Sequence, residues 1–152
     1  MRKKTLVIAP LAVAFCLLAS AAMAQDEAAT GRSRLSADVD RQAKHLFDKA
    51  IELMEYKQYE RGLAMLNTVV RDNQGSILAH QANMAMGKHF LEQRKPTEAL
   101  NYFMLLTRVL TPELGVKQPE ELESLYHEAL FQAGFSQYTA GQYAAAFPLF
   151  RR

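Results

Sequence analysis

A pattern that recurs three times along this chain constrains its fold more than its composition does. The segments Gln58-Tyr59-Glu60-Arg61-Gly62-Leu63, Lys95-Pro96-Thr97-Glu98-Ala99-Leu100 and Gln142-Tyr143-Ala144-Ala145-Ala146-Phe147 can be laid over one another. Each has a turn, a ring residue, a small residue three positions later and then an apolar one. Four residues beyond the small residue sits Leu66, Phe103 or Phe150, and twelve before it sits Ala50, Gly87 or Gly134. Small side chains at such points let two antiparallel helices approach closely, while the large ones fill the space between pairs. The chain is therefore expected to be built from stacked helix pairs.

The hydrophobic periodicity agrees. Val39, Ala43, Leu46, Ala50 and Leu53 recur at steps of four, three, four and three, one face of a helix. Ser36 is placed to cap that helix, with Asp38 and Asp40 in its first turn. Lys57-Gln58 forms a short polar break before Tyr59, Leu63, Leu66 and Val69-Val70. Asn73-Gln74-Gly75 ends this second run, with Gly75 suited to the left-handed position past a helix end. Ser76 is a further cap, and Leu78, Ala82, Met86 and Phe90 follow at steps of four. Pro96 and Pro119 each fit the start of a helix, where a missing N–H matters little. Period-two alternation is not sustained anywhere, so strands are not expected.

This arrangement resembles the tetratricopeptide repeat, a helix–turn–helix unit of about 34 residues. The best-matched unit carries Met86-Gly87, Phe90, Ala99 and Phe103. The resemblance implies an all-α, right-handed solenoid of antiparallel helix pairs. About three repeats fall near residues 43–76, 80–113 and 119–152, the last incomplete, in a domain spanning 38–152. The spacing departs from the family's regularity: Gly62 to Ala99 is 37 residues and Ala99 to Ala146 is 47. The Thr111–Gln118 connection and a lengthened helix after Pro119 would absorb the excess. Gly62 stands where the family usually has alanine, at a helix-interior cost of roughly 1 kcal/mol.

The N-terminus reads differently. Arg2, Lys3 and Lys4 precede an uncharged apolar run from Leu6 to Leu18, and Ala22-Met23-Ala24 follows before Gln25. These are the three parts of a secretory signal peptide. The run is shorter than the roughly 20 residues of a spanning helix, which favours cleavage after Ala24 over a retained anchor. Residues 1–24 are thus assigned to the signal and 25–37 to a polar, flexible lead-in. The expected location is periplasmic or secreted, with no stable membrane insertion once the signal is removed. Of the 18 basic residues, three lie in the signal, leaving 15 against 16 acidic ones, a net of −1. The exported part has no basic excess to attract nucleic acid. The only cysteine, Cys16, lies in the signal after Val13-Ala14-Phe15, not after the small residues of a lipoprotein signal. No disulfide or thiolate chemistry is expected beyond it.

Catalytic and metal constellations are likewise not expected. None of His45, His80, His89 and His127 has another histidine three or four residues away, as a helical metal pair requires. His89 with Glu92, and His45 with Asp48, would supply only two ligands each, and a solvated helix surface explains them better. Glu120, Glu121, Glu123 and Glu128 read as an acid-rich helix start. There is no Gly-rich phosphate loop and no Gly-x-Ser-x-Gly elbow. No enzyme activity and no cofactor are expected.

By resemblance, the first helix of each pair lines a concave face. The partner-facing positions would then be Phe47, Ile51 and Met54, then Met84, Lys88 and Leu91, then Phe131, Phe135 and Tyr138. Relatives that clamp a peptide's terminal carboxylate use Lys, Asn and Arg, whereas Phe47 and Ile51 stand where that clamp would begin. An apolar groove suits an amphipathic helix or an apolar extended segment, with about half of these side chains packed inside the stack. The expected function is an exported protein-binding scaffold module, in envelope assembly by fold-level analogy, with a protein or peptide partner. Two alternatives stand beside it: a structural homo-oligomer, and an accessory module of a larger enzyme.

Overall fold

A computed structural model describes residues 38–112 and 117–151. The expectations for the signal, the lead-in, the Ser36 cap and residues 113–116 of the connection lie outside the described residues. Among those described, the regular structure is helical, with no strand. Helix α1 covers residues 38–55, α2 Tyr59–Asp72, α3 Ile77–Glu92, α4 Pro96–Val109, α5 Glu120–Thr139 and α6 Tyr143–Phe150. Chain contacts set off Gln42–Arg152 as a unit of its own, which holds α1 from Gln42 onward and the helices after it.

The helices pack with their sequence neighbours, α2 on α3, α3 on α4, α4 on α5 and α5 on α6, while α3 also meets α5. Two core clusters follow, each made from one pair and the first helix of the next. Ala50, Leu66, Val69, Ala82 and Met86 join α1, α2 and α3. Met84, Phe103, Leu106, Leu125, Ala129 and Ala133 join α3, α4 and α5. Helix α3 contributes to both clusters and is buried on two sides. That explains why polar Asn83 and His89 are buried on it beside Ala79, Ala82 and Met86. The amide of Asn83 donates to the Ala79 carbonyl at 3.1 Å, so its burial leaves that donor satisfied.

The three turns inside the pairs are copies of one another. Lys57, Arg94 and Gly141 occupy the same place in the recurring pattern, and all have left-handed backbones, with φ of 60°, 57° and 76°. In each turn that residue donates its N–H to the carbonyl three back, and the next residue donates to the carbonyl five back. The pairs are Lys57 to Met54 and Gln58 to Leu53, Arg94 to Leu91 and Lys95 to Phe90, and Gly141 to Tyr138 and Gln142 to Gln137. This double bond is the Schellman ending, which satisfies the last carbonyls of a helix and reverses the chain. Between the first and second pairs, Gly75 has φ 79° and Ser76 Oγ accepts from the Ala79 N–H at 3.1 Å. Pro96 opens α4, and Pro119 precedes α5, whose first turn carries Glu120, Glu121 and Glu123.

The small-to-large spacing becomes a contact. A Cβ on Gly87 would lie 2.6 Å from Phe103 Cε1, and one on Gly134 would lie 2.7 Å from Phe150 Cε1. At Gly62 a Cβ would stand 2.5 Å from Met54 Cγ and 3.0 Å from the Ala50 carbonyl oxygen. Close approach of α2 to α1 therefore explains glycine where the other pairs hold Ala99 and Ala146, and it offsets the helix-propensity loss. Packing of each pair on the next sets the exposure. Phe103 is fully buried beneath α5, whereas its counterpart Phe150 is 47% exposed.

Candidate functional site

The first helices of the three pairs enclose a groove of about 1130 Å³. Phe47 and Ile51, one turn apart on α1, form one side, and Gln81, Met84, Ala85 and Lys88 of α3 form its middle. The other side is the start of α5, with Pro119, Glu120, Glu121, Ser124, Leu125 and Glu128. The one-turn spacings come directly from the helical repeat, which sets side chains three and four apart on the same face. Ile51, Ala85 and Lys88 also border a second hollow of about 320 Å³, lined further by Met54, Glu55, Tyr59, His89 and Glu92. The two hollows are therefore contiguous along α1 and α3.

Phe47 and Ile51 make the α1 side apolar, Met84 and Ala85 continue that surface between Gln81 and Lys88, and the α5 side is acidic. Glu120, Glu121 and Glu128 line the groove, and Glu55 and Glu92 line the adjoining hollow. Among the described residues lining both, Lys88 is the only lysine or arginine, and its Nζ lies 2.5 Å from Glu128 Oε1. Both partners of that ion pair are partly exposed, so it stabilises the fold little, by roughly 0–1 kcal/mol. It does tie α3 to α5 across the groove.

The structure brings together some of the nine expected partner-facing residues and separates others. Phe47, Ile51, Met84 and Lys88 share the groove, and Met54 lies in the adjoining hollow. Leu91 is half-buried against the α3–α4–α5 core. Met84 is buried at 4% exposure, held by the same core, and only its edge reaches the groove. Phe131 is exposed and borders a small hollow with His127, Leu130, Leu149 and Phe150; its ring centroid lies 5.9 Å from that of Phe150. Phe135 and Tyr138 are exposed on α5, with Tyr138 edge-on to Tyr143 at 5.2 Å. The α5 aromatics thus form a surface of their own toward α6.

His89 departs from the solvated-surface expectation. It is buried, its ring 4.6 Å from Tyr59 and 5.8 Å from Phe90. The reason is the two-sided burial of α3, which puts a position between the two apolar faces against α2. Among the described residues, no group of three or more metal-ligating side chains comes together. Glu128 departs from the helix-start expectation, lying beyond the first turn of α5, and with Glu120 and Glu121 it lines the groove, where the sequence pattern places none of the three. Comparison with protein-family models, with curated proteins and with solved structures gave no match for this chain.

Proposed function

We propose that this chain is an exported, tetratricopeptide-like solenoid that binds another polypeptide in the groove between its first helices and performs no catalysis itself. The observation that carries the reading is the groove, with Phe47, Ile51, Met84, Ala85 and Leu125 as its apolar residues on three successive first helices. The repeat reading draws support from the three matching Schellman turns and from the recurring Gly87–Phe103 and Gly134–Phe150 contacts. Export rests on the basic start, apolar run and Ala-x-Ala end of residues 1–24. Sequencing the N-terminus of exported protein should give Gln25; a start at Met1 in the membrane fraction would mean an anchor.

The binding reading is tested by placing a photo-crosslinker at Gln81 or Ser124, both exposed in the groove, and at Asn101, exposed on α4 outside it. Discrete adducts with another polypeptide should form from the groove positions only. Adducts of equal yield from Asn101, or none from the groove, would refute the reading. A second reading, self-association, is favoured by one observation: Phe131, Phe147 and Phe150 are 57%, 64% and 47% exposed. Sedimentation at micromolar concentration separates the two, since a monomer leaves the groove reading alone.

A further inference from the structure

We infer that the groove's occupant is an amphipathic helix of another protein, with lysines or arginines flanking its apolar stripe. This inference rests on the groove reading above and adds the chemistry of the partner. Two observations carry it. The first is the nature of the walls. On α1 and α3 the groove residues stand inside helices whose backbone groups are paired within themselves, so that surface offers no row of free N–H and C=O groups; only the first N–H groups of α5, at Glu120 and Glu121, lack an intrahelical partner. An extended peptide laid on Phe47, Ile51, Met84 and Ala85 would bury its own backbone groups unpaired, whereas a helix brings its backbone satisfied.

The second observation is charge. Glu120, Glu121 and Glu128 border the apolar surface, Glu55 and Glu92 continue along the adjoining hollow, and the single Lys88 is already held by Glu128. The net charge of the exported part is close to zero, so this concentration of carboxylates is local to the groove. A helix with acidic flanks would be repelled there, and a basic one would be steered in and fixed in register.

Three fluorescent peptides and the full exported chain test this. One has a Leu/Phe stripe at helical spacing flanked by Lys and Arg, the second the same stripe flanked by Glu, and the third the basic composition with its apolar residues scattered. By anisotropy, the basic amphipathic peptide should bind about tenfold or more tighter than the acidic one, as several exposed ion pairs acting together would give. That preference should shrink at high salt. The double variant Glu120→Gln, Glu121→Gln should reduce it to about threefold or less. Ser124→Arg, a change at an exposed groove position, should weaken basic-peptide binding without altering helical content. Equal binding of the basic and acidic amphipathic peptides, or equal binding of the scattered basic peptide, would overturn the inference and leave the groove reading standing. No binding by either amphipathic peptide, or binding untouched by Ser124→Arg, would overturn the groove reading with it.

Discussion

Gly87 on α3 lies beneath the ring of Phe103 on α4, so closely that a Cβ at position 87 would stand 2.6 Å from Cε1 and 2.7 Å from Cζ. Phe103 is fully buried among Ala99, Leu106 and the α5 residues Leu125 and Ala129, so its ring has nowhere to go. Overpacking a fixed core ring costs about 1–3 kcal/mol, more than the roughly 1 kcal/mol that alanine returns in helix propensity. Gly87→Ala should therefore destabilise, by up to about 2 kcal/mol. Gly134→Ala meets the same clash with Phe150, 2.7 Å from Cε1, but that ring is half exposed and can swing outward. There the propensity gain should offset most of the strain, giving a change within about 0.5 kcal/mol of zero. Urea denaturation of both variants checks the pair; equal losses would mean that Phe150 is held as firmly as Phe103.

The copied turns give a second comparison. Arg94 holds the left-handed backbone that Gly141 holds in the third pair, and it is exposed. That conformation costs a residue with a Cβ roughly 1–2 kcal/mol. Glycine avoids the strain but gives up roughly 0.5–1 kcal/mol through its freer unfolded chain. Arg94→Gly should accordingly stabilise by about 0.5 kcal/mol, and Gly141→Ala should destabilise by about 1 kcal/mol. Thermal melts of the two variants should move in opposite directions. A lower melting temperature for Arg94→Gly would show that the arginine side chain contributes more than its exposure implies.

What was legible in the sequence was what local chemistry decides. Gly75 and Pro96 mark helix ends through their backbone preferences and Ser76 through its hydroxyl, and each sits where that local chemistry places it. The sixteen-residue spacing from Gly87 to Phe103 and from Gly134 to Phe150 was readable because one turn joins each pair. Lys57 and Arg94 gave no signal for a left-handed backbone, since the pairing of α1 with α2 and of α3 with α4 imposes it on them. The burial of His89 and Met84 depends on α3 lying between two pairs, which no window along one helix reveals. The acidic wall escaped for the same reason: Glu128 acquires its place only when α5 meets α3.

Helix α6 should be the least protected of the described pair helices. It packs on α5 alone among the described helices, whereas α4 is held by both α3 and α5. It is eight residues long, and Pro148 inside it has no N–H to donate to the carbonyl one turn back. Of its residues only Ala146 is buried. Local opening there exposes little apolar surface and breaks few bonds, so it needs only a small free energy. Amides in residues 143–151 should exchange on the order of 100-fold faster than those of α4. Protection equal to that of α4 would show that α6 is covered, and a dimer found in the same sample would identify a second copy as the cover.

A pH dependence follows from His80. Its side chain is buried on α3, and desolvation lowers its pKa from the ordinary value of 6.5. Burial penalises the charged imidazolium, so the folded protein holds His80 neutral to a lower pH than the unfolded chain does. Between the two values the unfolded state binds more protons, and stability rises with pH across that interval. The contribution is therefore complete above about pH 6.5 and is lost as pH falls from there through the lower folded value. Urea midpoints measured from about pH 7.5 down to about pH 5 should fall with acid in the native sequence, in the interval just below the ordinary histidine value. His80→Gln should keep the fold and flatten that interval, since glutamine does not titrate. The same slope in His80→Gln as in the native protein would assign the acid sensitivity to other groups and remove His80 from the account.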